Sequence, residues 1–201
     1  MILLFQELNL KGCIRVSHAH VVRYGLQSEE ISSNLRNGLI PLFEKGSKED
    51  ALETLLKIPL KENLREFLKK VLEYRDVPLS EGIILMNSIP ELDLAAQELN
   101  ALIQSIRQLG IPEELIVFDA GIYRSLGFYS GLVFQADAEG ISEVAGGGDF
   151  SSVIKNIEKS NFLKCSGFAI GYERIAAALQ QKCCTLDFGE VDYLKMLLQT
   201  A

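Results

Sequence analysis

The chain has 201 residues, of which 48% are hydrophobic and 23% are charged, and its formal net charge is −7. This length allows one domain of ordinary size, with or without an inserted subdomain. The composition excludes a disordered or collagen-like chain, and the acidic charge argues against a general electrostatic grip on nucleic acid. There is no apolar run of about 18 residues to cross a membrane, and the apolar start lacks the basic residues of a signal peptide. We therefore expect a globular, cytoplasmic protein with no membrane partner.

The cysteines and histidines give no disulfide framework and no metal site. Two of the four cysteines are adjacent, and adjacent cysteines seldom pair with each other. No C-x-x-C spacing occurs, and both histidines are far in sequence from three of the cysteines. Reduced thiols are therefore expected. The residues concerned are Cys13, Cys165, Cys183, Cys184, His18 and His20.

The two histidines also invite an interpretation as an acid–base pair. His18 and His20 stand at alternate positions after a predicted strand, so they could share one face. However, the sequence offers no nucleophile near them and no triad spacing. We therefore favour a structural role for both.

The first part of the chain is predicted to be mainly helical. Residues 1–10 have the pattern of a helix end, and alternating apolar and polar side chains predict a strand over 13–17. Residues 28–90 then form a compact helical region without visible chemistry. The N-cap candidates of this region are Ser28 and Ser47, its clearest amphipathic helix is 60–74, and its expected helix breaks are Pro41, Pro59 and Pro78.

The second part alternates between strands and helices. A long amphipathic helix is predicted over 91–109, because apolar residues recur there at helical spacing. Strands that arrive in hairpin order after it favour antiparallel pairing with helices on one face, which is an α+β fold. The predicted strands are 115–118, 129–136, 141–145 and 165–170, and the predicted helices between and after them are 150–159 and 173–179.

Three segments of the second part carry the information about function, although each is weak alone. The glycines at 146–148 form either a turn or a backbone that approaches a ligand closely. Arg124 is either a partly exposed residue at a strand end or a guanidinium aimed at a carboxylate or phosphate. Glu173 and Arg174 form either a solvated pair or part of a nucleotide cleft.

Taken together, these segments resemble the class II aminoacyl-tRNA synthetase core of the histidyl type. The segment 124–131, Arg-Ser-Leu-Gly-Phe-Tyr-Ser-Gly, stands for the family's Arg-Gly-Leu-Asp-Tyr-Tyr-Thr-Gly. The segment 145–150, Ala-Gly-Gly-Gly-Asp-Phe, stands for Ala-Gly-Gly-Arg-Tyr-Asp. The segment 167–174, Gly-Phe-Ala-Ile-Gly-Tyr-Glu-Arg, is a nearly intact motif 3, and 14–18 is similar to the family's Ile-Arg-Ile-Asn-His strand. The resemblance implies a mixed, mostly antiparallel sheet with flanking helices, in a single N-terminally incomplete core over 1–201 with its helical insertion at 28–90.

The resemblance also implies the role of individual residues. Arg124 matches the arginine that activates the carboxylate of histidine, and Tyr129 matches a tyrosine of the histidine pocket. Gly146 and Gly147 match the floor of that pocket. Arg174, with Glu173 before it, matches the motif 3 arginine that holds ATP, here as a vestigial nucleotide site. Four positions depart from the family pattern, which is expected to weaken or alter histidine recognition: Gly127, Phe128, Gly148 and Asp149.

The family's other catalytic elements have no counterpart in the sequence. Neither motif 1 nor motif 2 is present, and only a short tail follows residue 179, where a synthetase carries an anticodon-binding domain. Adenylate formation depends on several positioned cationic groups and Mg²⁺. Aminoacylation and tRNA binding by this chain alone are therefore not expected.

The preferred hypothesis is a non-catalytic regulatory subunit of ATP phosphoribosyltransferase, a known paralogue of histidyl-tRNA synthetase without the anticodon domain. The resemblance implies that it binds histidine without a cofactor and takes the catalytic subunit as its partner in a hetero-octamer. One alternative is a catalytic-core fragment of a histidyl-tRNA synthetase, with ATP and Mg²⁺ as ligands. Another is a binding or scaffold protein with the same fold. Association with itself or a partner is also expected, because a shortened sheet exposes an edge or an apolar face.

Overall fold

The computed structural model describes residues 1–28, 31–45, 47–122, 129–158 and 164–185. In these ranges the chain forms six strands and nine α-helices around one sheet. The strands are β1 (Gly12–His18), β2 (Val77–Pro78), β3 (Ile116–Phe118), β4 (Leu132–Ala138), β5 (Ile141–Asp149) and β6 (Ser166–Ile170). The helices are α1 (Ile2–Glu7), α2 (Ala19–Leu26), α3 (Ser33–Lys45), α4 (Lys48–Lys57), α5 (Glu62–Glu73), α6 (Leu79–Asn87), α7 (Asp93–Gln108), α8 (Ser151–Glu158) and α9 (Tyr172–Thr185).

The strands form a sheet in the order β2-β3-β1-β4-β5-β6. Strands β1 and β3 are parallel, and every other neighbouring pair is antiparallel. The predicted α+β fold with a mixed, mostly antiparallel sheet is therefore confirmed. A parallel pair needs a long crossover, and the helical region between β1 and β3 supplies it.

One face of the sheet is covered by helices and forms the core. Helices α6, α7 and α9 pack against β3, β4 and β5. Phe118 is fully buried under α6, where Gly82 approaches its ring so closely that a Cβ at position 82 would lie 2.5 Å from Cγ. Core side chains from the sheet and from helices α3–α5 belong to the same buried cluster. The helical region thus shares the core of the sheet, while its delimitation as an insertion at 28–90 stays a prediction.

The amphipathic helices follow their sequence patterns. Helix α5 buries the apolar positions that recur along one face, namely Leu64, Phe67, Leu68, Val71 and Leu72. Ser47 caps α4 as predicted, because its hydroxyl accepts a hydrogen bond from the backbone N–H of Asp50 at 3.1 Å. Helix α7 likewise lies within the predicted range 91–109.

Other elements differ from the prediction. Pro41 does not separate two helices but lies inside α3. Helix α2 and the two-residue strand β2 were not predicted, whereas α6 lies in the predicted helical region 28–90 without having been singled out as a helix. The glycines at 146–148 form no turn: they lie inside β5 and pair with strands on both sides.

Strand β6 forms an exposed edge of the sheet within the described residues. The hydrogen bonds of Phe150 with Cys165 and of Gly171 with Val144 turn the odd-numbered residues of β6 toward β5. The N–H and C=O groups of the even-numbered residues therefore point outward. The side chains of Phe168 and Ile170 are 64% and 43% exposed at this edge. No described helix is long and apolar enough to span a membrane.

Candidate functional site

The face of the sheet opposite the core carries the candidate site. Directly paired residues point to the same face, so the register places whole rows of side chains on it. One row consists of Ser17, Val133, Gly148 and Gly167, and the next consists of Arg15, Gln135, Gly146 and Ala169. On β5 and β6 these positions carry either no side chain or only a methyl group. The face is therefore a flat floor at β5 and β6, bordered by polar side chains on β1 and β4.

Tyr129 lies directly on this floor. Its ring is so close to Gly148 that a Cβ there would lie 2.9 Å from Cδ1 and 3.0 Å from Cε1. The side chain is 8% exposed and packs with Ile122 and Val133. The structure thus brings Tyr129 next to the glycines of β5, two segments that the sequence separates by 15 or more residues. The ring occupies the space that a side chain at position 148 would need.

Gly147 points to the other face, where it permits close contact with β6. A Cβ at this position would collide with the carbonyl oxygen of Gly167 and would lie 2.6 Å from the Cβ of Phe168. Neither Gly147 nor Gly148 has a positive φ. The absence of a side chain matters at these two positions because of contacts, and left-handed backbone conformation plays no part.

A cluster of charged side chains borders the floor. Arg15 on β1 forms ion pairs with Asp137 on β4 and with Asp76 after α5, and its Nε lies 3.8 Å from Oδ2 of Asp119. Asp119 is nearly buried, and its Oδ1 accepts the backbone N–H of Gly121 at 2.8 Å and faces Nε of Arg75 at 3.4 Å. Burial raises the pKa of Asp119, although both arginines and the Gly121 N–H lower it.

This ion cluster was missed in the sequence because its members come from four separate segments. The available signal was a charged residue at position 15 between the apolar Ile14 and Val16 of a strand. Cys13 lies on the same face of β1, and burial raises the pKa of its thiol. Among the described residues, no group of three or more His, Cys, Asp or Glu side chains could hold a metal ion.

Asp119 orders the start of the segment that leads to position 124. We expect Asp119→Ala to lower the free energy of unfolding by about 2–3 kcal/mol, because both arginines lose a buried carboxylate and the Gly121 N–H loses its acceptor. Asp119→Asn keeps that acceptor and is expected to cost about 1 kcal/mol. Urea denaturation of the two variants measures the difference, and equal losses would contradict this role.

Asp149 is held by serine hydroxyls at the end of β5. Ser130 donates to its Oδ1 at 2.6 Å, and Ser151 donates to its Oδ2 at 2.7 Å. Ser151 also accepts the backbone N–H of Cys165 at 2.8 Å, which ties β6 to the same cluster. Burial alone would raise the pKa of Asp149, but these hydrogen bonds outweigh it and the pKa is lowered. The carboxylate therefore fixes three chain segments beside Tyr129.

Arg174 and Glu173 lie in the first turn of α9, beyond the edge of the floor. The guanidinium of Arg174 donates to the backbone carbonyl of Glu143 at 2.9 Å and forms an ion pair with its carboxylate at 3.1 Å. Glu143 has a positive φ of 55°, so Arg174 contacts the backbone where it bends near the start of β5. Both Glu173 and Arg174 are exposed to solvent.

The other residues that the sequence suggested for the site lie on β5 or outside the residues that the structure describes. Gly146 belongs to the floor, and Gly147 lies beside it on the opposite face. Arg124 falls outside the described residues, as do Gly127 and Phe128, and so do the side chains of Cys183 and Cys184. His18 has the expected structural surroundings: it is buried and hydrogen bonded.

Comparison with known proteins relates the sequence to one family. The sequence profile of the family described as histidyl-tRNA synthetase matches residues 3–175. The histidine–tRNA ligase of Archaeoglobus fulgidus is 24% identical over 190 residues, which are 93% of this chain and 42% of that protein. The chain thus spans less than half the length of this relative.

Solved structures show the same fold. A protein of Bacillus halodurans, described as an ATP phosphoribosyltransferase regulatory subunit/histidyl-tRNA synthetase, superposes with a TM-score of 0.69 at 17% identity, covering 89% of this chain and 47% of the other. A chain of the ATP phosphoribosyl transferase complex from Thermotoga maritima superposes with a TM-score of 0.53 at 18% identity, covering 79% of this chain and 53% of the other. Because the family profile matches most of the sequence and the fold agrees with it, this chain belongs to the histidyl-tRNA synthetase family.

Proposed function

We propose that the protein is a non-catalytic, histidine-binding subunit that regulates ATP phosphoribosyltransferase in histidine biosynthesis, with the catalytic subunit of that enzyme as its partner. The observation that carries the proposal is the packing of Tyr129 on Gly148. The histidyl-type motif carries an arginine at position 148. Here a tyrosine ring fills the space of that side chain, so the pocket retains an aromatic wall and lacks the cation that the motif places at position 148.

Two further family positions serve the internal structure. Asp149 stands where the motif has a tyrosine, and its carboxylate is occupied by Ser130 and Ser151. The guanidinium of Arg174, at the ATP-binding position of motif 3, is engaged by Glu143. Adenylate formation needs cationic groups aimed at the developing charge, and these contacts favour a binding role over a catalytic one.

A buried hydroxyl supports ligand binding at the floor. Ser17 is fully buried in the same row as Gly148, and its Oγ has no hydrogen-bond partner in the described structure. A buried polar group without a partner costs free energy. A polar ligand on the floor would supply that partner, while Arg124, by resemblance, would face the carboxylate of an amino acid.

The partner is proposed from the likeness in fold to the Thermotoga maritima complex and from the departures at the catalytic positions. The alternative, a catalytic-core fragment of a histidyl-tRNA synthetase, is favoured by the curated relative, which is a histidine–tRNA ligase. That alternative requires ATP and Mg²⁺ as ligands and an exchange of pyrophosphate into ATP that depends on histidine.

Calorimetric titration with free histidine, with and without the catalytic subunit, tests the proposal. We expect histidine to bind and the two chains to form a stable complex. Tyr129→Phe removes only the hydroxyl, which in this proposal forms a hydrogen bond with the bound histidine. The loss of that neutral hydrogen bond should weaken histidine binding by about fivefold. Tyr172→Phe is the matched control, since that side chain is 84% exposed, and it should bind as the natural protein does.

The outcomes separate the two functions. Binding of neither histidine nor the catalytic subunit would refute the regulatory role. Histidine-dependent pyrophosphate exchange in the presence of ATP and Mg²⁺ would establish the synthetase alternative instead.

A further inference from the structure

His18 joins the core of the protein to the first turn of α2. The side chain is 1% exposed. Its Nδ1 accepts the backbone N–H of His20 at 3.2 Å, and its Nε2 lies 3.1 Å from Oε2 of Glu98 on α7. These two contacts fix the protons of the ring: Nδ1 must be bare to accept, and Nε2 must carry a proton to donate to the carboxylate. The ring is therefore neutral, and it serves as the N-cap of α2.

Helix α2 in turn holds the backbone on both sides of Ser130. The backbone N–H of Ala19 donates to the carbonyl of Gly131 at 3.0 Å. The guanidinium of Arg23, one turn further along α2, donates to the carbonyl of Tyr129. The position of α2 thus sets the position of Tyr129, whose ring lies on Gly148.

The charged and titratable groups around His18 come from three other elements. Glu98 on α7 stabilises the protonated ring, and Asp149 on β5 acts in the same direction. His20 on α2 opposes protonation; its ring centroid lies 5.0 Å from that of His18. Burial is the largest influence and lowers the pKa of His18, so the neutral ring is the form present near neutral pH.

We propose that His18 is a positioning residue for the proposed histidine-binding site at Tyr129. Ligand binding at that site then requires the neutral form of the His18 ring. This inference rests on the proposed function, because it concerns the same pocket. A proton on Nδ1 would face the N–H of His20, and the N-cap of α2 would be lost. The first turn of α2 would then release Ala19 and Arg23 from the segment that carries Tyr129. Acidification therefore weakens binding without a titrating group in contact with the ligand.

Calorimetric titrations with free histidine from about pH 5.5 to about pH 7.5 test this proposal. The comparison uses the natural protein and His18→Asn, because asparagine caps a helix at any pH in this range. Free histidine titrates here too, but it does so identically with both proteins, so the ratio of the two Kd values isolates position 18. We expect the Kd of the natural protein, divided by that of His18→Asn, to rise by about tenfold from the neutral to the acidic end of the range, as for the loss of one N-cap. A constant ratio would overturn the proposal.

His20→Asn is the matched control for the neighbouring ring. It removes the other titrating imidazole and leaves the Nδ1 acceptor of His18 in place. Binding by this variant should still weaken in acid as in the natural protein, with the profile displaced toward higher pH, because His20 no longer opposes protonation of His18. If His20→Asn abolished the pH dependence while His18→Asn kept it, the assignment to His18 would be wrong.

Amide hydrogen exchange of the ligand-free protein gives a readout that does not depend on the proposed function. Exchange of residues 19–26 and 129–131, corrected for its intrinsic pH dependence, should be faster in acid for the natural protein than for His18→Asn. If no histidine binds but this difference is found, the proposed function fails and the role of His18 stands. If histidine binds and exchange is the same in both proteins, the role of His18 fails alone.

Discussion

Alanine at position 147 is expected to lower the free energy of unfolding by about 3 kcal/mol, near the upper end for an overpacked site. The added methyl group would overlap the carbonyl oxygen of Gly167 and the Cβ of Phe168. The first of these belongs to the backbone of the neighbouring strand, which cannot move aside without breaking the β5–β6 ladder. Urea denaturation followed by circular dichroism measures the loss.

The matched control is Gly38→Ala. Gly38 lies inside α3, and a Cβ there would meet nothing within 4 Å. This substitution should stabilise the protein by about 0.5–1 kcal/mol, because alanine has the better helix propensity. If Gly147→Ala had an effect of similar size and sign, the close contact between β5 and β6 would be contradicted.

Arginine at position 148, which restores the residue of the histidyl-type motif, is expected to damage the site. Its Cβ would meet the Tyr129 ring at 2.9 Å and the carbonyl oxygen of Leu132 at 2.6 Å. The ring must leave the floor, and the pocket loses its aromatic wall. We expect the Kd for histidine to rise by roughly 30- to 150-fold, which corresponds to about 2–3 kcal/mol. Calorimetry with free histidine measures the change.

Leu56→Arg controls for the added charge, because Leu56 is 62% exposed on α4, within the predicted insertion. It should leave histidine binding unchanged. If Gly148→Arg instead bound histidine as tightly as the natural protein or more tightly, then Tyr129 would be no part of the pocket, and position 148 would retain the role that the motif gives it.

Local patterns predicted the elements whose stability depends on their own sequence. The apolar face of α5 and the capping serine of α4 both follow from spacing within one segment, and both are confirmed. Apolar residues three or four apart lie on one helical face, and a serine hydroxyl can reach the N–H groups of the first turn. These features need no information from elsewhere in the chain.

The missed elements depend on partners far away in sequence. Strand β2 consists of two residues and exists because β3 offers it a neighbour. Helix α2 begins immediately at the N-cap His18, whose ring is held by Glu98 from α7. Pro41 is tolerated inside α3, where its side chain is exposed. A short segment therefore takes its form from the element against which it lies.

The candidate site was predicted only in part, because many of its contacts also join residues that are far apart in sequence. The motif resemblance brought together Tyr129 and the glycines of β5, and the structure places Tyr129 on Gly148. The sequence suggested a turn at 146–148, because glycine runs favour turns when nothing else constrains them. Pairing with β4 and β6 makes them a strand instead. The ion cluster around Asp119 could not be assembled from local sequence, because its charges come from four separate segments and the position of Arg15 between two apolar strand residues does not identify its partners.

The two edges of the sheet have different consequences for growth of the sheet beyond one molecule. On one side β2 is two residues long and ends in Pro78, which has no N–H to offer to an incoming strand. On the other side, within the part of the chain that the structure describes, β6 presents three unpaired N–H and C=O positions, together with the exposed side chains of Phe168 and Ile170. The two edges of the sheet are therefore not equivalent: the β2 edge resists pairing with a further strand, and the β6 edge permits it. Any strand addition, whether orderly or a first step toward insoluble protein, has a single direction in which to proceed.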